Sequence, residues 1–225
     1  MIGNYIISIN QLADFSKATD AKKRRIIKQQ KEPNKFRIAY YQLAKARMKK
    51  TVENHGDLEP IFKGIDELLS RKPIKPRQTN DKMVSLEALN RFINLKLPSL
   101  LCDFQHEVIK KPKIKSIILN GVEIIISPDV IIRLELDGKK YLGAVKIHIS
   151  KNNVFDNIQS RYISALLFKY LKEVVAKDDE EVLEDLCLSI EVFGGSIISV
   201  PNNLPTTVNE IEVICDEIKL IWNVA

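Results

Sequence analysis

Four runs dominated by Ile and Val, at 115–119, 122–126, 130–136 and 141–149, follow one another with almost nothing between them. Branching at Cβ favours extended backbone. The first and second runs are joined by Asn120-Gly121 and the third and fourth by Asp137-Gly138. These dipeptides tolerate the two successive positive φ angles that a tight hairpin demands. The stretch is therefore expected to be a β-meander, bent at Ser127-Pro128, where proline cannot donate to a ladder.

The flanks read as helix. After the meander, 154–176 has a helical pattern. Strands are expected around 186–193 and, past Gly194-Gly195, up to Val200, with a final helix over 207–222. Before the meander, Ser8 is placed to cap a helix carrying Leu12 and Phe15, followed by a basic amphipathic run with Ile26 and Ile27 facing inward. Pro33 ends it. A long helix is expected over 35–54 from the spacing of Phe36, Ala39, Tyr40, Leu43, Ala44 and Met48, then a shorter one over 57–72. The polar, proline-bearing stretch 71–81 reads as a linker, and 83–111 as one or two helices split by Pro98. The fold class is α/β (α+β), with a basic helical domain over 1–77 and a mixed sheet flanked by helices over 78–225.

Charge separates these two parts. The chain carries +6, yet thirteen Lys and Arg lie between Lys17 and Lys50 against only Asp20 and Glu32, which leaves the remainder net acidic. Lys22, Lys23, Arg24, Arg25, Lys28, Lys31, Lys35 and Arg37 form the candidate nucleic-acid surface, because four adjacent cations cannot all face acidic neighbours on one helix. Hydrophobic residues make up 45% of the chain, which excludes wholesale disorder. The three cysteines have no metal-ligand or disulfide spacing. With no basic leader and no membrane-length apolar run, the expected setting is the cytoplasm, without membrane contact.

In the fourth run Ala144, Lys146, His148 and Ser150 alternate with Val145, Ile147 and Ile149. The second set is expected to be core, which turns Lys146 and His148 to the opposite face. Asp129 opens the neighbouring run, so a cation-holding carboxylate and a phosphate-steering ammonium are expected side by side. The helix expected before the sheet offers Glu107, and the helix after it offers Gln159, Arg161 and Tyr162.

A helical glutamate, a strand opened by Pro-Asp, a neighbouring strand with a lysine and a helix with Gln and Tyr together resemble the PD-(D/E)XK nuclease superfamily, in its RecB-like or restriction-endonuclease-like form, over about residues 98–200. The resemblance implies a restriction-endonuclease-like mixed sheet, with Asp129 as metal-binding aspartate, Lys146 as catalytic lysine and Glu107 as the helix glutamate. It makes Gln159 and Tyr162 the Gln/Tyr pair, spaced by three residues where the family has four. It also implies Mg2+ or Mn2+, a DNA partner and a prokaryotic restriction, repair or antiphage-defence setting. The departure is Ala144, which stands where the family has a second acid. Glu123 and His148 are the candidates to replace it as metal ligands. Glu135, six residues along the strand from Asp129, is roughly 20 Å away at about 3.3 Å per residue. Two functions stay open: metal-dependent cutting, and a non-catalytic DNA-binding or scaffold subunit with a protein partner.

Overall fold

The computed structural model describes residues 5–32 and 40–224. Strand β1 (Tyr5–Ser8) runs into α1 (Ile9–Phe15), whose first turn is capped by Ser8 Oγ accepting the Gln11 N–H. Helix α2 (Asp20–Lys31) follows, burying Ile26 and Ile27 as expected. Helix α3 spans Gln42–Glu53, starting after Tyr41 in a left-handed conformation with φ 63°. Of the helix expected over 35–54, the described residues are helical only from Gln42. Phe36, Ala39, Lys35 and Arg37 lie outside the described residues.

Helix α4 covers Glu59–Ser70 and α5 covers Pro76–Ile93. The expected linker 71–81 thus shrinks to the five residues before Pro76. Proline at the first helical position loses no hydrogen bond, and the Gln78 side chain folds back to accept the Lys75 N–H at 3.2 Å, so the proline starts the helix. A short α6 (Ser99–Cys102) precedes β2 (His106–Val108). Glu107 is thereby on an edge strand and not on a helix.

Strands β3 (Ser116–Leu119) and β4 (Val122–Ile125) form one hairpin, and β5 (Val130–Leu136) and β6 (Lys139–His148) form another. Both turns have positive φ at both central residues: 45° and 75° at Asn120-Gly121, 50° and 75° at Asp137-Gly138. The two hairpins do not make one meander. They belong to different sheets, and the chain crosses between them at Ser127 (φ 41°), Pro128 and Asp129. Helix α7 (Asn157–Tyr170) continues as a π-helical turn over Leu171–Val175, then come β7 (Glu180–Glu191), β8 (Ser196–Ile198) and α8 (Leu204–Val224).

The first sheet has the order β1-β4-β3, with β1 parallel to β4. The second has the order β2-β5-β6-β7-β8; β2, β5 and β6 are antiparallel neighbours, and α7 crosses over so that β7 lies parallel to β6. Both faces of this second sheet are covered. Ile131, Leu142, Ala144 and Cys187 join α1, α2, α7, α8 and the first sheet in one buried cluster, while Ile132, Val145, Ile147 and Leu188 join α3, α4 and α5 in the other. Each cluster draws residues from both sides of position 77, so that boundary does not separate two hydrophobic cores. Among the described residues no helix is long and apolar enough to cross a membrane.

Candidate functional site

The crossing between sheets sets the site. Asp129 follows the kink, and its own N–H donates to Val145 O at 2.8 Å. Its side chain turns along β6, where Oδ2 accepts the Ile147 N–H at 2.8 Å and lies 3.0 Å from Lys45 Nζ, reaching over from α3. Lys146, from the opposite face of β6, donates to the carbonyls of Ile126 and Ser127 at 3.0 and 2.6 Å. The lysine thus ties down the strained kink that presents Asp129. Burial pulls its ammonium down to a pKa of about 8; Asp129 counteracts this, whereas Lys45 and Lys111 push further down.

The face of β6 that carries Lys146 is itself core. Ala144 is fully buried, opposite Ile131 on β5 and Cys187 on β7. An acid at that position would have to ionise among apolar side chains, which the surroundings do not support. His148, two places beyond Lys146, stacks on Phe155 with ring centroids 3.6 Å apart, and its Nε2 donates to Asn153 O at 2.9 Å. Burial lowers its pKa to about 4, so the ring is neutral near pH 7. Beside it is Glu191, fully buried, with Oε2 3.7 Å from His148 Nε2. Burial raises this carboxyl to about 7, although the N–H groups of Phe155 and Phe193 each donate to it at 3.1 Å.

The other expected ligands lie elsewhere. Glu107 is exposed on β2 and lies 3.4 Å from Arg133. Glu123 is on β4 in the other sheet, accepting from Ser116 Oγ at 2.7 Å. Of the expected metal ligands, Asp129 and His148 stand near Lys146, and His148 donates its Nε2 hydrogen to Asn153 O. Among the described residues no group of three or more His, Cys, Asp or Glu is placed to hold a metal ion. One carboxylate already bound to an ammonium and an amide does not fit the needs of Mg2+ or Mn2+, which require charged oxygen donors to displace hydration water.

Gln159 and Tyr162 are engaged in the fold. Gln159 is buried, donating from Nε2 to Ala13 O at 2.7 Å while its carbonyl caps α7 at the Asp156 N–H. Tyr162 donates its hydroxyl to Glu210 Oε2 at 3.0 Å, and burial holds its pKa near 12. Both link α7 to its neighbours.

No protein-family model matches the chain, and no curated protein matches it.

The basic helix divides into two groups. Lys23 pairs with Glu217 on α8 at 2.6 Å and lies over the Phe15 ring, and Lys31 donates to Trp222 O at 2.6 Å; these two fasten α2 to the core. Arg24, Arg25 and Lys28 are exposed and, among the described residues, form no ion pair. Arg25 and Lys22 face an open cleft of about 1220 Å3, where Lys22 bridges Asp14 at 2.6 Å and Asn153 at 3.2 Å. The far wall brings Lys45, Tyr40 and Tyr41, and the floor includes His148 and Asn153. Gln11, Gln29 and Gln30 also line the cleft, with Gln30 Nε2 donating to Gln11 Oε1 and Gln30 Oε1 accepting the Ser8 N–H at 3.3 Å. Sequence reasoning missed Lys45, one of several lysines on α3; only the packing of α3 against β5 singles it out. Lys111 was missed for the same kind of reason, since it follows a strand that read as helix.

Proposed function

We propose that the protein binds nucleic acid in the cleft between α2 and the end of β6, as a nuclease-like protein that does not cut by a metal-dependent route. The observation that carries this reading is the cleft wall: Lys22, Arg25 and Lys45 face the same space as Tyr40, Tyr41 and a rim of side-chain amides. Ammonium and guanidinium groups meet phosphates, an exposed side-chain amide such as that of Gln29 meets base edges, and the exposed Tyr40 ring offers a stacking surface, whereas Tyr41 packs on Phe193. Among the described lining residues only Asp14 carries negative charge; it pairs with Lys22, and Asp129 pairs with Lys45, so the positive surplus of the cleft rests on Arg25. A single-stranded segment suits an irregular cleft with tyrosines better than a regular duplex does.

The nuclease-like part of the reading is supported by topology. Antiparallel β2, β5 and β6, then crossover helix α7 and parallel β7 beside β6, follow the order that the PD-(D/E)XK resemblance implies, with Asp129 and Lys146 adjacent at the centre. The non-catalytic part is supported by Ala144 in the core, by Asp129 held by Lys45, and by Lys146 donating to two carbonyls. Against it stands the second reading, metal-dependent cutting, which the adjacency of Asp129 and Lys146 favours. Restriction, repair or antiphage defence is the setting that the resemblance suggests.

The test is binding of single- and double-stranded DNA and RNA by fluorescence anisotropy in EDTA, paired with incubation in Mg2+ or Mn2+. Salt-sensitive binding in EDTA, lost on Lys22→Glu/Arg25→Glu, with intact nucleic acid in both metals, supports the proposal. Cleavage abolished by Asp129→Ala and by Lys146→Ala sinks the non-catalytic reading.

A further inference from the structure

Asp129 sits within a lysine cluster that one carboxylate does not neutralise. The β2–β5 ladder pairs His106 with Leu134 and Val108 with Ile132, and the Ile109 N–H donates to Ile131 O at 2.8 Å. Carried two residues further, this antiparallel register brings Lys111 across from Asp129. From the neighbouring layer α3 presents Lys45, 3.0 Å from Asp129, and one turn later Lys49 on the same helix face. Lys111 interacts with Lys49 and Lys45 as well as with Asp129, and its ammonium is destabilised first by burial and next by Lys49. Glu53, the other acid nearby, lies 3.6 Å from Lys50. Like charges gathered in this way repel, so the arrangement leaves an excess of positive charge beside the cleft that Lys45 also lines.

We propose that Lys45, Lys49 and Lys111 form a subsite for a terminal phosphate monoester at the end of the bound nucleic-acid strand. This rests on the nucleic-acid reading above. An internal diester brings one negative charge, whereas a monoester brings about −1.5 to −2 near neutral pH and three acceptor oxygens. Three ammonium donors from two structural layers match the second better than the first. Lys45 joins the subsite to the cleft, so a strand lying along the α2 wall ends at Lys49 and Lys111.

The experiment compares three otherwise identical single-stranded oligonucleotides, with a 5′-phosphate, a 3′-phosphate or hydroxyls at both ends, by anisotropy at constant salt. One phosphorylated end is expected to bind about tenfold more tightly than the hydroxyl form, in keeping with an extra charge-assisted contact. That ratio is expected to fall to about one in Lys49→Ala/Lys111→Ala, whose truncated side chains both reach solvent; circular dichroism checks that the fold is kept. Equal affinities for all three oligonucleotides overturn the inference while leaving nucleic-acid binding intact. A ratio that survives in the double variant overturns it as well. If no oligonucleotide binds, the proposed function itself fails, and the strand-end subsite falls with it. Competition by a nucleoside monophosphate without any end preference assigns the cluster to a free nucleotide and overturns the strand-end form.

Discussion

Lys45 Nζ on α3 lies 3.0 Å from Asp129 Oδ2, the same oxygen that accepts the Ile147 N–H at 2.8 Å. One carboxylate therefore joins the helical layer to two strands of the sheet. Asp129→Ala leaves the Ile147 amide without its acceptor in the core, at an expected cost of about 1–3 kcal/mol. Asp129→Asn keeps an oxygen for that amide and is expected to cost less. Urea unfolding midpoints of the two variants check the order, and equal losses would contradict it.

Restoring the acid at Ala144 is not expected to create a nuclease. The side chain is fully buried among Ile131, Leu142 and Cys187, and a charge there without a partner costs several kcal/mol. Ala144→Asp is expected to melt well below the parent and to leave DNA uncut in Mg2+. A stable variant that cuts would show that the position is open to solvent and metal.

His148 and Glu191 titrate in opposite senses. Glu191, raised from 4.5 to about 7, keeps its proton longer in the folded chain than in the unfolded one. Its contribution to stability is present below pH 4.5 and is lost as pH rises to about 7. His148, lowered from 6.5 to about 4, works the other way: its contribution is present above pH 6.5 and is lost as pH falls towards 4. The two slopes oppose one another over the shared part of these windows. Relative to the parent, Glu191→Gln is expected to gain stability with rising pH between 4.5 and 7, by up to about 1.4 kcal/mol per pH unit. His148→Phe is expected to gain stability as pH falls from 6.5 to 4. Denaturant midpoints across this range measure both, and parallel curves for parent and variants would contradict the assignment.

Arg25 and Lys45 are expected to act as phosphate contacts. For each that is neutralised, Arg25→Gln or Lys45→Gln, the slope of log K against log salt for single strands is expected to become shallower by about 0.7. Anisotropy titrations from low to moderate salt measure the slope. Weaker binding with an unchanged slope would place these residues outside the phosphate track.

Local signals made much of this fold legible. Ser8 caps a helix, Ile26 and Ile27 face inward, and Asn-Gly and Asp-Gly turn hairpins, because neighbours in sequence settle these features. Non-local pairing was not legible. Tyr5–Ser8 is a strand because β4 lies parallel beside it, and His106–Val108 is a strand because β5 pairs with it antiparallel in the other sheet, although its sequence reads as helix. Pro76 could be read as a breaker or as a first helical residue, and packing chose the second. At the site, the adjacency of Asp129 and Lys146 could be read from strand order. The engagement of Gln159, Tyr162 and Lys23 with other parts of the fold could not, since each depends on a partner distant in sequence.

The most direct test of the account is single-strand binding in EDTA for the parent and for Lys22→Glu/Arg25→Glu, followed by gel analysis of the same strand after incubation in Mn2+. The account predicts salt-dependent binding by the parent, loss of at least about tenfold in the variant, and an uncut strand. Unchanged binding in the variant, or cutting that disappears in both Asp129→Ala and Lys146→Ala, would contradict it.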